Sequence, residues 1–301
     1  MWPALRFTDW KDTCATLHMW TQIVGKIRLT LTPWVNHSWH VTLYTTPRGL
    51  TTSVIPYDPI QFQIDFDFLD HRVVVQTSDG KTEYVQLRPR SVADFYQELF
   101  AKLKQLRIDV KIHNKPNEVA AAIPFTEDNQ HASYDPDYAH RCWQILLNVD
   151  RVFKDFRARF IGKCSPVHFY WGSFDLAVSR FSGRTAPEHP GNIPNLPDSV
   201  TREAYSHEVC SAGFWPGSEQ MPNPLFFSYA YPEPTGYKDR EVHPAGAIYD
   251  STMKEFVLPY DAIRESSEPG QLLMDFLQST YVAAAECGNW DRSALEKNFE
   301  K

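Results

Sequence analysis

The sequence has little glycine, few cysteines and no excess of basic residues. Its 301 residues include 13 Gly and five Cys, and 30 Lys and Arg stand against 37 Asp and Glu, which gives a formal net charge of −7. So little glycine excludes collagen-like and Gly-rich low-complexity chains. The acidic balance offers no basic surface for nucleic acid, so we expect no nucleic-acid partner.

The sequence also lacks the features of a membrane span or a secretion signal. Nowhere do 18 apolar residues run together, and the first nine residues have neither the basic start nor the apolar stretch of a signal peptide. The cysteines are odd in number and widely spaced, without a Cys-x-x-Cys pair. We therefore expect no membrane association and a cytoplasmic location, where thiols stay reduced.

Apolar and aromatic residues are abundant, and they follow helical and strand patterns. Hydrophobic residues make up 43% of the chain, enough for one large core or two smaller ones. Ser91 fits the cap that begins one helix, Asp135 followed by Pro136 fits the start of the next, and Gly288 fits a helix end. The predicted long helices cover residues 9–31, 91–106, 135–160 and 267–287, with a short one at 291–299.

Strand patterns fill the intervals between the helices, about five in each half of the chain. The predicted strands cover residues 39–44, 51–56, 62–68, 71–77, 83–87, 168–181, 206–215, 225–231, 245–249 and 255–258. Both halves therefore have the order helix, strands, helix. We predict an α+β fold, mainly antiparallel sheet with packed helices, built from two degenerate pseudo-repeats (residues 1–112 and 135–301) joined by a connecting segment at 113–134.

The second half has the longer loops. Residues 182–205 contain four prolines and no helical or strand pattern. A stretch of this length in a compact protein is usually a lid over a site or a disordered segment. We therefore expect any functional site to lie in the second half, beneath these residues.

Two stretches in this half carry most of the polar candidates. They read HFYWGSFDLAVSRFSGR (168–184) and REAYSHEVCSAGFWPG (202–217). With FFSYAYPEP (226–234) and the C-terminal residues 275–296, they resemble an uncharacterised, mainly bacterial family catalogued as a domain of unknown function. The resemblance extends over nearly the whole chain and implies no activity, because none is established for that family.

The polar groups of these stretches define a candidate site. On a regular strand His207 and Glu208 point to opposite faces, unless the strand bulges or begins after them. Gly172 and Ser173 can kink the preceding strand and exchange the faces of its residues. With those adjustments His168, Arg180 and either Glu208 or His207 surround one cleft, where Arg binds a carboxylate or phosphate and a His–Glu pair transfers protons. The candidate site residues are therefore His168, Arg180, His207 and Glu208.

Two other interpretations of these residues stay open. Arg180 can form a buried ion pair with Glu208 or Asp175 that sets the strand register. A divalent metal held by His168, His207 and a carboxylate has suitable ligand types but no spacing signature. The chain has no Gly-rich phosphate loop, no dinucleotide fingerprint and no His-Glu-x-x-His, so nucleotide-driven chemistry has no support.

Three classes of function follow from this sequence. The first is an enzyme that acts on a small polar molecule through the four candidate residues, and the second is a non-catalytic protein that binds its ligand in the same cleft. The third is an interaction module that docks a partner through aromatic loops at 214–237. The sequence does not decide between these three classes. It also does not identify a cofactor, a bound metal or the oligomeric state.

Overall fold

A computed structural model describes residues 2–297, and within that range the chain forms seven α-helices and twelve strands. The helices are α1 Phe7–Leu31, α2 Val92–Gln105, α3 Pro136–Ala158, α4 Asp198–Ala204, α5 Tyr260–Arg264, α6 Pro269–Cys287 and α7 Arg292–Leu295. The strands of the first half are β1 Tyr44–Thr46, β2 Gly49–Thr51, β3 Ile55–Tyr57, β4 Ile60–Asp67, β5 Arg72–Thr77 and β6 Thr82–Gln86. Those of the second half are β7 His168–Tyr170, β8 Asp175–Thr185, β9 His207–Trp215, β10 Leu225–Tyr231, β11 Ile248–Asp250 and β12 Glu255–Pro259.

The strands form two antiparallel sheets, which confirms the predicted α+β class. The first sheet has the order β1-β2-β4-β5-β6, with β3 paired to β4, and the second has the order β11-β12-β10-β9-β8-β7. Leu43 and Phe169 form an isolated antiparallel bridge where β1 meets β7. Each half begins with a helix, contains six strands and ends in helix, but in the second half α4 separates β8 from β9 and three helices follow β12. A duplication of one half from the other stays a prediction.

The long helices begin and end close to where local signals predict. Ser91 Oγ accepts a hydrogen bond from the Asp94 amide at 3.0 Å and starts α2. Asp135 accepts from the Asp137 and Tyr138 amides at the start of α3, with Pro136 in the first turn. Gly288 follows α6. The predicted last helix, 291–299, forms only over α7 and ends at Leu295, and residues 298 and 299 lie outside the described residues.

Several predicted elements differ from the structure. The predicted strand 51–56 is divided between the end of β2, an irregular stretch and β3. Residues 39–42 are irregular chain rather than a strand, Leu43 forms only the isolated bridge to Phe169, and a short 3-10 turn at Asn36–Ser38 precedes them. The predicted strand 168–181 is a hairpin of β7 and β8 joined by residues 171–174. The predicted loop 182–205 is partly ordered, because β8 continues to Thr185 and α4 occupies its last third. Contacts between residues distant in sequence determine the structure of each of these elements, and local sequence patterns do not record such contacts.

Within residues 2–297, no helix combines the length and the apolar character required to cross a bilayer.

Helices α3 and α6 cover one face of the second sheet, and Arg180 lies in the core between them. Its side chain is 1% exposed, and its guanidinium carbon lies 3.4 Å from the ring centre of Phe156 and 4.4 Å from that of Tyr281. It donates to the Phe156 carbonyl, but Nε and Nη1 have no hydrogen-bond partner among residues 2–297. Burial lowers the pKa of Arg180 to about 10. Arg180 is therefore a core residue held by aromatic rings.

We expect Arg180→Ala to lower the free energy of unfolding by about 2–4 kcal/mol, because it leaves a cavity among aromatic rings. Arg180→Met should cost less than about 1.5 kcal/mol, because methionine fills the space and removes a buried charge with unpartnered donors. Urea unfolding of both variants measures these values. A methionine variant as unstable as the alanine variant would show that the charge itself stabilises the fold.

Candidate functional site

The two faces of the second sheet are chemically different. On β9, Glu208 and Cys210 share the face covered by helices, whereas His207, Ser211 and Gly213 point to the opposite face. His207 and Glu208 therefore point apart, as their spacing predicts. The hairpin at 171–174 places His168 opposite Ala177 and Tyr170 opposite Asp175, so these four share the face without helices. The predicted exchange of faces near Gly172 is thus present.

The structure does not bring the four predicted site residues together. Arg180 lies beneath the helices. Glu208 accepts from Arg184 Nη2 at 2.6 Å and from Ser182 Oγ at 2.8 Å, and Arg184 also donates to the carbonyl of Gly288 after α6. Among the described residues Arg180 pairs with neither Glu208 nor Asp175, so the predicted buried ion pair is wrong, and Glu208 pairs with Arg184 instead. A joint catalytic role for the four residues stays a prediction that this geometry does not support.

His168 and His207 lie on the face without helices but contact different neighbours. His168 is fully buried, and its Nδ1 lies 3.3 Å from the hydroxyl of Tyr170. Burial, with a contribution from Arg28 and Arg157, lowers the pKa of His168 to about 3, so the imidazole is neutral. The ring centres of His207 and His37 are 6.0 Å apart, and His37 Nε2 lies 2.6 Å from Lys163 Nζ.

A second group of polar residues gathers on this same face, and the sequence analysis did not single it out. Its members are acidic residues and tyrosines whose charges interact with one another. We call them the acidic–tyrosine cluster: Glu118, Asp175, Glu255, Tyr170, Tyr205 and Tyr229. His168 touches this cluster through Tyr170, whereas Arg180 and Glu208 lie on the opposite face of the sheet.

Short hydrogen bonds organise the cluster. The hydroxyls of Tyr205 and Tyr229 lie 2.7 Å apart, and Ser173 donates to Oδ1 of Asp175. Asp175 is 6% exposed, and burial raises its pKa to about 7. Desolvation also raises the pKa of Glu118 and of Glu255 to about 7 in each case. All three carboxyls therefore exchange protons near neutral pH.

Glu118 reaches the cluster because helix α1 holds the residue before it. The Gln22 side chain donates to the Asn117 carbonyl and accepts from the Asn117 amide, both at 2.8 Å, and Lys26 donates to the Asn117 side chain. The Glu118 amide donates to the Pro194 carbonyl at 3.0 Å. Hydrogen bonds therefore hold the connecting segment in place at Asn117, against α1, and at Glu118, against Pro194.

The backbone around Glu118 is specialised for this position. Glu118 has a φ of 60°, in the left-handed region that costs a glutamate free energy unless other contacts hold it there. A β-carbon on Gly172 would overlap Glu118 Oε1, so a larger residue at 172 would displace the carboxyl from its present position. The hydrogen bonds to α1 and to Pro194 offset the cost of the strained conformation.

A covering loop, residues 186–206 including α4, closes the cluster from above. The Tyr231 hydroxyl donates to the Pro187 carbonyl at 3.1 Å, and the ring of His189 stacks on Tyr205 with centres 4.7 Å apart. At its other end the loop meets the first half, where His37 Nδ1 lies 2.9 Å from the Ala204 carbonyl. The prolines predicted to form a lid therefore lie over the face without helices.

The cluster lies between the second sheet and the covering loop, and we call the space between them the recess. Glu118 is exposed, and Glu255, Tyr170, Tyr205 and Tyr229 are half-buried, so water reaches them. Burial raises the pKa of Tyr205 to about 12. A hollow with aromatic walls and a few convergent polar groups is typical of small-molecule sites.

No group of three His, Cys, Asp or Glu side chains is arranged to hold a metal ion anywhere in the described part of the chain. The predicted alternative of a metal on His168, His207 and a carboxylate has no geometric support there. The recess instead offers carboxyls that can donate or accept protons and tyrosine hydroxyls that can donate hydrogen bonds.

Comparison with known proteins identifies a family but no characterised relative. Residues 2–297 match the model of a family of unknown function, DUF5996. No curated protein and no solved structure matches the chain.

The raised pKa of Asp175 predicts a pH dependence of stability. Because the folded state binds this proton more tightly than the unfolded state, the carboxyl favours folding at low pH and loses that contribution as pH rises from about 4 to 7. We expect the free energy of unfolding of Asp175→Asn, minus that of the wild type, to increase by about 2–4 kcal/mol between pH 4.5 and pH 8. Chemical unfolding across this range measures the difference.

The comparison with the wild type is necessary because burial lowers the pKa of His18 to about 4, which gives the opposite pH dependence. Asp65→Asn, on β4 of the first sheet, is the matched control for removing a strand carboxyl outside the cluster. A difference between Asp175→Asn and the wild type that does not vary with pH would contradict the burial of a protonated carboxyl at this position.

Proposed function

Since the chain belongs to the DUF5996 family, for which no function is known, we propose from the recess itself that the protein binds a small polar molecule between the second sheet and the covering loop, and exchanges a proton with it. The observation that carries the proposal is the acidic–tyrosine cluster, which faces water and is closed over by the loop. Structural carboxyls in a core normally have a basic partner, and these have none among residues 2–297.

The chemistry of the cluster supports proton exchange as well as binding. A carboxyl whose pKa lies near 7 is present in both forms at neutral pH, which suits a general acid or base. The Tyr205–Tyr229 hydroxyl pair supplies a hydrogen-bond donor to a ligand. Of the four residues predicted from the sequence, His168 alone enters this proposal, because as a neutral imidazole it can orient the Tyr170 hydroxyl.

The alternative of an interaction module has less support. It requires exposed aromatic side chains at 214–237, but the large apolar side chains that the described residues expose all lie elsewhere. Phe214, Phe226 and Tyr237 are buried. The aromatic residues of this region therefore serve the core and the recess.

We also propose that the protein is cytoplasmic and that its ligand is not a nucleic acid. All five cysteines are free thiols, which suits a reducing compartment. The net charge of −7 and the acidic recess both oppose the binding of a polyanion.

We expect Tyr205→Ala to abolish ligand-induced stabilisation, because it removes a wall of the recess and the stacking partner of His189. The measurement is thermal unfolding in a library of sugars, carboxylic acids and amines. Compounds that bind the native state raise the melting temperature by a few degrees at saturating concentrations.

Tyr84→Ala is the matched control, because Tyr84 is 47% exposed on the first sheet and far from the recess in the fold. It should keep the full ligand response of the wild type. Equal stabilisation of Tyr205→Ala and Tyr84→Ala, or a library without any stabilising compound, would contradict the proposed binding site.

A further inference from the structure

We infer that Lys163 is a nucleophilic amine that forms imines with small aldehydes, and that His37 is its base. The site uses no residue of the acidic–tyrosine cluster, so it does not depend on the proposed function. Four observations carry the inference: the hydrogen bond between the two side chains, the contact that orients His37, the backbone conformation at His37, and the exposure of an amine that pairs with an imidazole instead of a carboxylate.

Lys163 and His37 join the two halves of the chain through a hydrogen bond. Nζ of Lys163 lies 2.6 Å from Nε2 of His37, which is 126 residues away in sequence. Proteins that activate a weak nucleophile place it within hydrogen-bond distance of a base, and a third group orients that base. The lysine and the histidine have the first of these two relationships.

The covering loop provides the group that orients His37. Nδ1 of His37 lies 2.9 Å from the Ala204 carbonyl oxygen, which can only accept a hydrogen bond, so Nδ1 carries the proton. Burial, with contributions from Lys163 and His207, lowers the pKa of His37, so the ring is neutral near pH 7. Nε2 is therefore an acceptor whose lone pair points at the amine.

The backbone at His37 has an uncommon conformation. His37 and Ser38 have φ values of 59° and 56°, in the left-handed region that residues with a side chain seldom adopt. Such conformations cost free energy and occur most often at functional sites. This turn places the imidazole between the Ala204 carbonyl and Lys163.

Lys163 differs from the lysines that bind carboxylates. Lys154 on α3 forms an ion pair with Asp150 Oδ2 at 2.5 Å, whereas Lys163 forms no ion pair with a carboxylate of residues 2–297. The acidic group that acts on Lys163 is Glu203, which accepts from the indole of Trp34 at 3.1 Å. Lys163 is exposed, and desolvation lowers its pKa, although Glu203 acts in the opposite direction. A neutral amine is therefore accessible from solvent.

Two aromatic rings lie beside the amine. Nζ of Lys163 is 5.4 Å from the ring centre of Trp39 and 5.2 Å from that of Phe181. These rings offer an apolar surface to the carbon chain of an uncharged aldehyde.

Imine formation needs only the amine, the aldehyde and a base. The nitrogen lone pair of Lys163 attacks the carbonyl carbon, and the carbonyl π electrons move to oxygen. Both hydrogens of the neutral amine then leave with that oxygen as water, and Nε2 of His37 carries each proton in turn. A carbon–nitrogen double bond replaces the carbon–oxygen double bond, and nothing is oxidised or reduced.

Reductive trapping on the full-length protein tests the inference. Propanal with sodium cyanoborohydride converts each imine into a stable propylamine, and peptide mass spectrometry measures the initial rate at each lysine. At pH 8 we expect Lys163 to react at least about tenfold faster than Lys154, because it alone of the two has a positioned base. The rate at Lys163 should be half-maximal below about pH 10.4, the ordinary pKa of lysine.

His37→Asn removes the base and keeps the backbone, because asparagine tolerates the left-handed conformation. The rate at Lys163 should fall about tenfold, while that at Lys154 stays unchanged within the same protein. The matched control is His113→Asn, on the exposed connecting segment, which should leave Lys163 as reactive as in the wild type. The melting temperature of each variant shows that it is folded.

Three results would overturn the inference. The first is a rate at Lys163 no higher than that at Lys154 in the wild type. The second is an unchanged or higher rate at Lys163 in His37→Asn, which a merely structural contact would give because its loss frees the amine. The third is a half-maximal rate at or above the ordinary pKa of lysine.

Discussion

Helices α3 and α6 pack on one face of the second sheet, and the covering loop with its short helix α4 closes the other face, which determines where the candidate site lies. Helices α3 and α6 bury Arg180 and the apolar side chains beside it. The opposite face is covered by irregular chain, the covering loop and the segment around Glu118. Irregular segments bring polar side chains with them, so the space they enclose is polar. The acidic–tyrosine cluster lies in that space.

Keeping this face polar costs free energy, and the fold stabilises the arrangement through contacts distant in sequence. Three carboxyls that have no basic partner in the described part of the chain are held together, and Glu118 adopts a left-handed backbone conformation. Helix α1 offsets that cost through the paired hydrogen bonds of Gln22 and Asn117, 95 residues apart. Strain and desolvated charge that persist in a well-packed protein are typical of binding and catalytic sites. A purely structural face could have been filled with apolar residues at lower cost.

Local signals in the sequence predict the elements whose limits are set locally. The cap at Ser91, the Asp135-Pro136 start of α3 and the alternation of β10 each depend on residues within a few positions, and each is where the sequence places it. The candidate site was predictable only in part. Asp175 and His168 lie in the stretches singled out, but their common face depends on the hairpin at 171–174. Glu118 lies in a segment without periodicity, and contacts with α1 that leave no local pattern determine its position. The tyrosines of β10, alternating toward one face, were the available signal.

Direct titration of the carboxyl groups by carbon-13 NMR tests most directly whether the recess holds desolvated acids. The spectra would follow the side-chain carboxyl carbons of Asp175, Glu118 and Glu255 between pH 3 and pH 9, with assignments from the Asn and Gln variants. The structure predicts midpoints near pH 7 for these three carboxyls. Midpoints near pH 4 for all three, the range of carboxyls in water, would contradict the existence of the recess and the function proposed for it.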